Sequence, residues 1–274
     1  MHLKKGLIMF SIRQEYWHIF KYFLYRDWLV YRHDALRYFI NYGLIYAALF
    51  SLSFGLIVPT IGFGYADPLV CTSIICGQIL WVLFPISYHS STRILLDLQH
   101  VRFITYQLII APAALVWLEK IVFHTILVFI NILPFFITTK LILGPALIFD
   151  PARIPLLFLT LLVCSIFFSI FSMTAVSYIR STLQTTTFFV RCVYPLIGLS
   201  GLLVSWHQIH NAYPRLAMLI RLNPFLYATE AFRNVLLPTG TFIPIGQCML
   251  MLVCYSIILA FMMFFFFRKK LDYV

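Results

Sequence analysis

The chain has 274 residues, of which 62% are hydrophobic and only 11% are charged. A soluble domain has roughly 25% charged residues, so the composition excludes an ordinary soluble protein and indicates an integral membrane protein. The uncharged runs are longer than the ~10-residue alternating strands of a membrane barrel, so we expect an all-α protein. The net charge of +11 comes from residues at the ends of apolar runs, a pattern typical of cytoplasmic loops. We therefore expect membrane lipids, and not nucleic acid, as partners.

The first 37 residues are basic and aromatic, and apolar side chains such as Ile19, Phe23 and Trp28 recur there at helical spacing. This pattern favours an amphipathic helix that lies in the headgroup region with its apolar side towards the lipid. The sequence thus predicts an N-terminal interfacial segment, residues 1–37, followed by a transmembrane domain, residues 38–274.

Six intervals in this second part are long enough to hold a membrane span, and all are uncharged except the fifth, which has Arg191 near its start. About 20 helical residues cross a hydrocarbon core of about 30 Å. The first span is expected to end near Pro59, because residues 59–64 read as turn material. The six intervals are residues 38–66, 68–92, 121–139, 154–179, 188–206 and 244–267.

Residues 103–118 are apolar but short, and Pro112 interrupts them. We expect this interval to re-enter the interface and lead into the third span. A seventh crossing would put the two basic chain ends on opposite sides of the membrane. Since Lys and Arg concentrate on the cytoplasmic side, the sequence predicts six spans with both termini cytoplasmic.

No catalytic or phosphate-binding motif is recognisable. The HExxH, GxSxG and Gly-rich phosphate-loop patterns are missing, so we predict a non-catalytic chain without a metal or cofactor of its own. The six cysteines lie in apolar runs and read as packing residues. His207 and His210 read as polar caps at a span end. His124 lies inside the third span, where it is either a proton-relay group or a neutral side chain bonded to a backbone carbonyl.

Aromatic residues make up 18% of the chain, and some are expected to line a substrate path. Three of the candidates fall at positions i, i+3 and i+7 on one face of the second span, and three follow along the fifth. Flat aromatic faces suit sugar rings, lipid tails and planar drugs alike. The predicted path residues are Trp81, Phe84, Tyr88, Phe188, Tyr194 and Trp206.

The segment after the fifth span is too charged for a span and too apolar for an ordinary loop. Asn223-Pro224 reads as a helix start, because proline is well tolerated in the first turn. Glu230 and Arg233 lie three residues apart and can pair on one helix face. We expect one or two short helices that lie at, or dip into, the outer face as a re-entrant segment. The Glu230–Arg233 pair either stabilises this helix or forms an extracellular gate.

Together with Ser200-Gly201 upstream, the residues Asn223, Pro224, Glu230 and Arg233 resemble the outer signature of permease subunits of type-2 ATP-binding-cassette exporters. The resemblance implies six spans, a bacterial inner-membrane location and a homodimer. It also implies two copies of a separate cytoplasmic ATPase, which would hold the ATP and Mg. The ATPase would dock on the loop between the second and third spans, where the coupling residues would be Arg93, Asp97, Gln99, His100 and Arg102.

The family resemblance favours export of a lipid-linked polysaccharide or glycolipid. Export of drugs or lipids by a permease of the same family is the alternative. A membrane-embedded lipid-modifying enzyme is a candidate from a different class, although it would need polar residues clustered within the spans.

Overall fold

The computed structural model describes residues 2–63, 68–101, 103–179, 181–237 and 241–271. This described part is helical throughout, apart from short connections and turns, and contains no strand. Five of its helices are long and apolar enough to cross a membrane. The prediction of an all-α, multi-pass membrane protein is therefore confirmed.

We number the helices in chain order. The first, α1, is a composite helix that covers residues 2–63, and α6 is a composite that covers residues 182–198. The others are α2 (Pro68–Leu96), α3 (Phe103–Ile110), α4 (Ala113–Leu143), α5 (Ile154–Tyr178), α7 (Trp206–Ala212), α8 (Pro214–Ile220), α9 (Pro224–Leu236) and α10 (Ile245–Leu271). The five candidate spans are provided by α1, α2, α4, α5 and α10.

Helix α1 joins the predicted interfacial segment to the first predicted span without a break. It contains π-helical turns at Phe39–Tyr46 and Ser51–Ile57 and continues through Val58–Phe63. The helix runs through residue 37 without interruption, and the predicted helix end near Pro59 is wrong. Pro59 lies two residues after the π-helical segment Ser51–Ile57, where the regular i→i−4 bonding is interrupted, so its missing N–H does little harm.

Helix α1 packs closely against α4 through small residues spaced four apart. Gly43, Ala47, Ser51 and Gly55 are all buried. A methyl group on Gly43 would lie 2.9 Å from the side chain of Pro134, and one on Gly55 would lie 2.9 Å from Leu143. Small side chains let two membrane helices approach this closely, so this face holds α1 in register with α4.

The expected interruption at Pro112 is present between α3 and α4. Helix α4 begins at Ala113 and is longer than the predicted third span, which began at residue 121. With 8 residues, α3 is too short to cross a hydrocarbon core of about 30 Å. Among the described residues, α3 is therefore not one of the five helices that are long and apolar enough to cross a membrane.

Helix α6 differs most from its prediction. It begins at Thr182, capped by the Ser181 hydroxyl, and ends at Gly198. The predicted span continued to residue 206, but residues 199–205 are not helical. A new helix, α7, starts with a capping box formed by Ser205 and Gln208. This S-x-x-Q pattern is visible in the sequence and marks the start of a new helix at the end of an otherwise unbroken apolar run.

Helix α5 lies at the centre and contacts α2, α4, α9 and α10. Its polar residues bond to α2 across the interface. The hydroxyls of Ser87 and Ser172 are 2.6 Å apart, and the Ser91 hydroxyl donates to the Ser172 carbonyl at 3.2 Å. Paired hydroxyls of this kind are satisfied inside the bundle and fix how α2 and α5 align.

Candidate functional site

The Asn223-Pro224 pair starts α9 as predicted. The Asn223 side chain accepts a hydrogen bond from the Phe225 N–H at 3.1 Å and donates to the Leu196 carbonyl at 2.5 Å. Asparagine is among the best residues for capping free N–H groups at a helix start. One side chain thus caps α9 and holds the end of α6 beside it.

The predicted ion pair between Glu230 and Arg233 is present, and both side chains are fully buried. The Arg233 guanidinium donates to Glu230 at 3.0 Å, to the Ser73 carbonyl at 3.2 Å and to the Leu202 carbonyl at 3.1 Å. A further hydrogen bond reaches the Gly201 carbonyl. We call this arrangement, Arg233 with Glu230 and these three carbonyls, the arginine clamp. It joins α9 to α2 and to residues 199–205.

The Glu230 carboxylate extends the clamp to two more segments. It accepts hydrogen bonds from the backbone N–H of Trp206 at 3.0 Å and of Ile243 at 3.3 Å. Trp206 is the first residue of α7, and Ile243 precedes α10. A buried carboxylate that accepts several hydrogen bonds beside an arginine is well compensated. The pair is therefore a tie between distant segments and not only a local contact on α9.

Two glycines allow the clamp to close. Gly201 has φ 74°, in the left-handed region that glycine adopts without steric cost. Gly77 of α2 lies directly against the backbone of Leu202. A methyl group on Gly77 would be 1.7 Å from the Leu202 carbonyl oxygen. The Thr229 hydroxyl donates to the Ser200 carbonyl at 2.8 Å. The Ser200-Gly201 pair and the outer signature thus meet in space.

Trp206 lies at the edge of this clamp and apart from the other predicted path residues. Its ring stacks on His210 at 4.9 Å, the Arg221 guanidinium lies 4.1 Å from its centre, and its indole N–H donates to the Ala217 carbonyl at 3.0 Å. These contacts tie α7 to α8. Next to them, burial raises the pKa of Tyr227, whose hydroxyl stays protonated and donates to the Arg221 carbonyl at 2.8 Å.

The remaining path residues form one aromatic cluster between α2 and α6. Tyr194 lies 5.8 Å from Trp81 and 4.8 Å from Phe84, measured between ring centres. Phe189, which the sequence analysis did not select, lies 5.1 Å from Tyr88 and 5.7 Å from Phe188. The Tyr88 hydroxyl is also 2.9 Å from that of Thr186.

The predicted coupling residues lie at the end of α2 and in the helical turns that follow it, and residues of α1 contact them. We call this region the helical corner. Arg93, near the end of α2, pairs with Asp34 and lies over the ring of Tyr31 at 5.0 Å. Asp97 lies 4.0 Å from Arg26, and Gln99 is half-buried. The side chain of His100 and the whole of Arg102 lie outside the described residues. The predicted loop is thus largely helical, and its charges contact the N-terminal segment.

A buried charge cluster lies beside this corner. Asp27 of α1 is 1% exposed and lies 2.5 Å from Lys120 and 2.8 Å from Arg26. Glu119 lies 3.2 Å from Lys120. His124 is buried one turn further along α4, and its Nδ1 atom has no hydrogen-bond partner among the described residues. Asp27 was not predicted from the sequence, because its partner Lys120 is 93 positions away and no neighbouring residue marks it as buried.

We expect Lys120→Met to destabilise the protein by about 3–5 kcal/mol, because it leaves the buried Glu119 carboxylate without its cation and the buried Asp27 carboxylate with Arg26 alone. Lys21→Met is the matched control, since Lys21 is exposed and lies over the ring of Trp17. Heating each detergent-solubilised variant and measuring the fraction that stays monodisperse by size-exclusion chromatography checks this. Equal stability of the two variants would show that the cluster contributes nothing to the fold.

Comparison with protein-family models finds no match to this chain. A search of curated proteins likewise finds no significant match.

Proposed function

We propose that this chain is the permease subunit of a type-2 ATP-binding-cassette exporter in a bacterial inner membrane. The observation that carries the proposal is the arginine clamp. The residues that resemble the family's outer signature are spread over positions 200–233. Three of them, Gly201, Glu230 and Arg233, are joined by buried, charge-assisted hydrogen bonds. Ser200 is bonded to Thr229 of α9, and Asn223-Pro224 starts that helix. A set of residues that meets in this way acts as one unit, as a family signature would.

In this proposal the membrane is crossed six times, with α6 as the short crossing and both termini cytoplasmic. At about 1.5 Å per residue, residues 182–198 extend for about 25 Å. A crossing that is slightly short for the bilayer is accommodated by thinning or by flanking residues. The segment of α7, α8 and α9 would then be the re-entrant outer segment, with the clamp at its base.

The chain carries no phosphate-binding loop in its sequence, so the energy would come from two copies of a partner ATPase that holds ATP and Mg. Two copies of this chain would form the path. The cargo we favour is a lipid-linked polysaccharide or glycolipid, moved outward. Support for this cargo comes from the aromatic cluster of α2 and α6, whose flat faces can hold sugar rings at several positions.

The direct test is purification of the tagged chain from its native membrane, followed by mass spectrometry. We expect an ATP-binding-cassette ATPase in equal amount, and ATP hydrolysis that depends on that partner's phosphate loop. Deleting the gene should remove a surface glycan. If deletion instead sensitises cells to hydrophobic compounds and leaves all glycans intact, the drug- or lipid-exporter alternative applies. Transport by the purified chain alone would overturn the proposal.

The Arg93–Asp34 pair provides a sharper test of coupling. We expect Arg93→Asp to reduce transport at least about tenfold, because it places two carboxylates together at the corner where the ATPase would dock. The double variant with Asp34→Arg restores an opposite pair and should recover most of the transport. ATPase association and transport are measured on each variant. An Arg93→Asp variant with normal transport would place the coupling surface elsewhere.

A further inference from the structure

The buried charge cluster between α1 and α4 holds two carboxyl groups but only one fully buried cation. Asp27 and Glu119 are 1% and 0% exposed, and Lys120 is 3% exposed. The Lys120 Nζ atom lies 2.5 Å from Asp27 and 3.2 Å from Glu119. Arg26 reaches Asp27 from the edge of the cluster, where its side chain is 29% exposed. Two buried carboxyl groups thus share one buried ammonium group.

The two carboxyl groups differ in their hydrogen bonds. One Asp27 oxygen accepts from Lys120 at 2.5 Å, and the other accepts from Arg26 at 2.8 Å. Neither Glu119 oxygen accepts a hydrogen bond from a described residue, because the Lys120 nitrogen beside it lies outside hydrogen-bonding geometry. A buried charged group without hydrogen bonds is costly. Asp27 is therefore satisfied by its two cations, and Glu119 is the group that is left for a ligand to satisfy.

The position of Asp27 beside Glu119 indicates a proton as that ligand. The two side chains lie within hydrogen-bonding reach of each other. Ionised carboxylates have acceptor atoms only, so a hydrogen bond between two of them requires that one carries a proton. A protonated Glu119 donates its O–H to the Asp27 carboxylate. One proton then neutralises the unsatisfied group and adds a bond between α1 and α4.

The number of available oxygen atoms disfavours a metal ion at this place. A hard metal ion takes about six oxygen ligands. In this pair only the two Glu119 oxygens lack a hydrogen bond, since both Asp27 oxygens hold cations. The described residues also contain no group of three or more His, Cys, Asp and Glu side chains that could hold a metal ion. A proton needs a single oxygen, which the cluster provides.

Further titratable and charged groups surround the pair. Asp97 of the helical corner lies 4.0 Å from Arg26. The ring of Tyr31, on α1, lies 6.1 Å from that of His124, on α4. His124 is the competing proton acceptor, because its buried Nδ1 atom has no hydrogen-bond partner among the described residues. The described neighbours from α1, α4 and the helical corner are Arg26, Tyr31, Arg93, Asp97, Lys120 and His124.

We propose that Glu119 is a proton-binding site and that its proton fastens α1 to α4. With the proton bound, Lys120 serves Asp27 alone and the Glu119 O–H adds a second bond between the helices. Without it, Lys120 is divided between two carboxylates that repel each other, and α1 loosens from α4 and from the helical corner. The fastened state binds the proton, so it is favoured at low pH and lost as the pH rises through the titration of Glu119. The site does not depend on the proposed export function, and either can fail alone.

Infrared spectroscopy of the full-length chain in lipid nanodiscs detects the proton, because a protonated carboxyl group absorbs apart from a carboxylate. The chain has three glutamates, Glu15, Glu119 and Glu230, so isotope-labelled glutamate limits the shifted bands to these three. Glu15 is exposed, and Glu230 is paired with Arg233. We expect one labelled carboxyl band at about pH 6, where an exposed glutamate is ionised. It should be lost reversibly by about pH 9 and be missing from Glu119→Gln. Absence of the band at the lower pH would overturn the proposal.

Spin labels on α1 and α4 test whether the proton fastens the helices. Tyr22 and Leu118 are 71% and 52% exposed and serve as labelling sites once the exposed cysteines are replaced. We expect a narrow distribution of distances between the labels at about pH 6 and a broad one at about pH 9. Glu119→Gln should stay narrow at both, because its side chain is neutral and keeps a donor. Glu15→Gln is the matched control, since Glu15 is exposed, and it should broaden as the unchanged chain does.

Four results would overturn the site. These are a distance distribution that does not change with pH in the unchanged chain, equal broadening in Glu119→Gln, and recovery of the narrow distribution by sodium ions at the higher pH. The fourth is loss of the pH dependence in His124→Gln with its retention in Glu119→Gln, which would assign the proton to the histidine. If Glu119→Gln fails to fold, the labelled infrared band of the unchanged chain decides alone.

Discussion

Replacing Arg233 by methionine is expected to destabilise the protein by about 3–5 kcal/mol, the usual cost of leaving one partner of a buried ion pair alone. The change leaves the Glu230 carboxylate buried without its cation. It also removes the donors for three backbone carbonyls, those of Ser73, Gly201 and Leu202. We expect the detergent-solubilised variant to lose its monodisperse peak at a much lower temperature than the unchanged protein. Arg215→Met is the control, because Arg215 is exposed.

A double variant separates the clamp from a simple ion pair. Replacing both members of a buried pair by apolar residues is often neutral. Here the variant Glu230→Leu with Arg233→Leu still leaves the carbonyls of Gly201 and Leu202 without donors, so we expect it to remain destabilised. Full recovery in the double variant would mean that Arg233 matters only to Glu230. A stable Arg233→Met variant that leaks or transports in both directions would instead support a gate.

Gly77→Ala is expected to have an effect of similar size from a single methyl group. The new Cβ atom would be 1.7 Å from the Leu202 carbonyl oxygen and 2.8 Å from its Cα atom. Overpacking a core commonly costs about 1–3 kcal/mol. Here the obstacle is backbone held by the arginine clamp, so we expect a loss at or above the upper end of that range. Thermal stability by size-exclusion chromatography is again the measurement.

A glycine-to-alanine substitution in α10 should have the opposite effect on stability. Gly246 lies near the start of α10, and a methyl group there would have no atom within 4 Å. Since alanine is favoured over glycine in a helix by about 1 kcal/mol, Gly246→Ala should be neutral or stabilising. If Gly77→Ala is as stable as Gly246→Ala, residues 199–205 do not cross α2 as closely as described.

The sequence alone was sufficient for the features that depend on local chemistry. Long uncharged runs indicated membrane helices, because hydrocarbon tolerates little else. Asn223-Pro224 predicted the start of α9, and Pro112 predicted the break before α4, because both patterns act within one turn of backbone. The Glu230–Arg233 pair followed from helical spacing. None of these predictions required knowledge of which residues lie on the neighbouring helices.

The tertiary structure decided where apolar runs end and which charges are buried. Hydropathy cannot distinguish an apolar helix from an apolar irregular segment. Residues 199–205 are irregular, and the carbonyls of Ser200, Gly201 and Leu202 are satisfied by Thr229 and Arg233 of another helix. In the sequence, Asp27 looks like any other charged residue of an amphipathic helix. Only the structure shows that it is buried against Lys120. In each case the deciding contact joins distant parts of the chain or depends on backbone geometry, and a single sequence records neither.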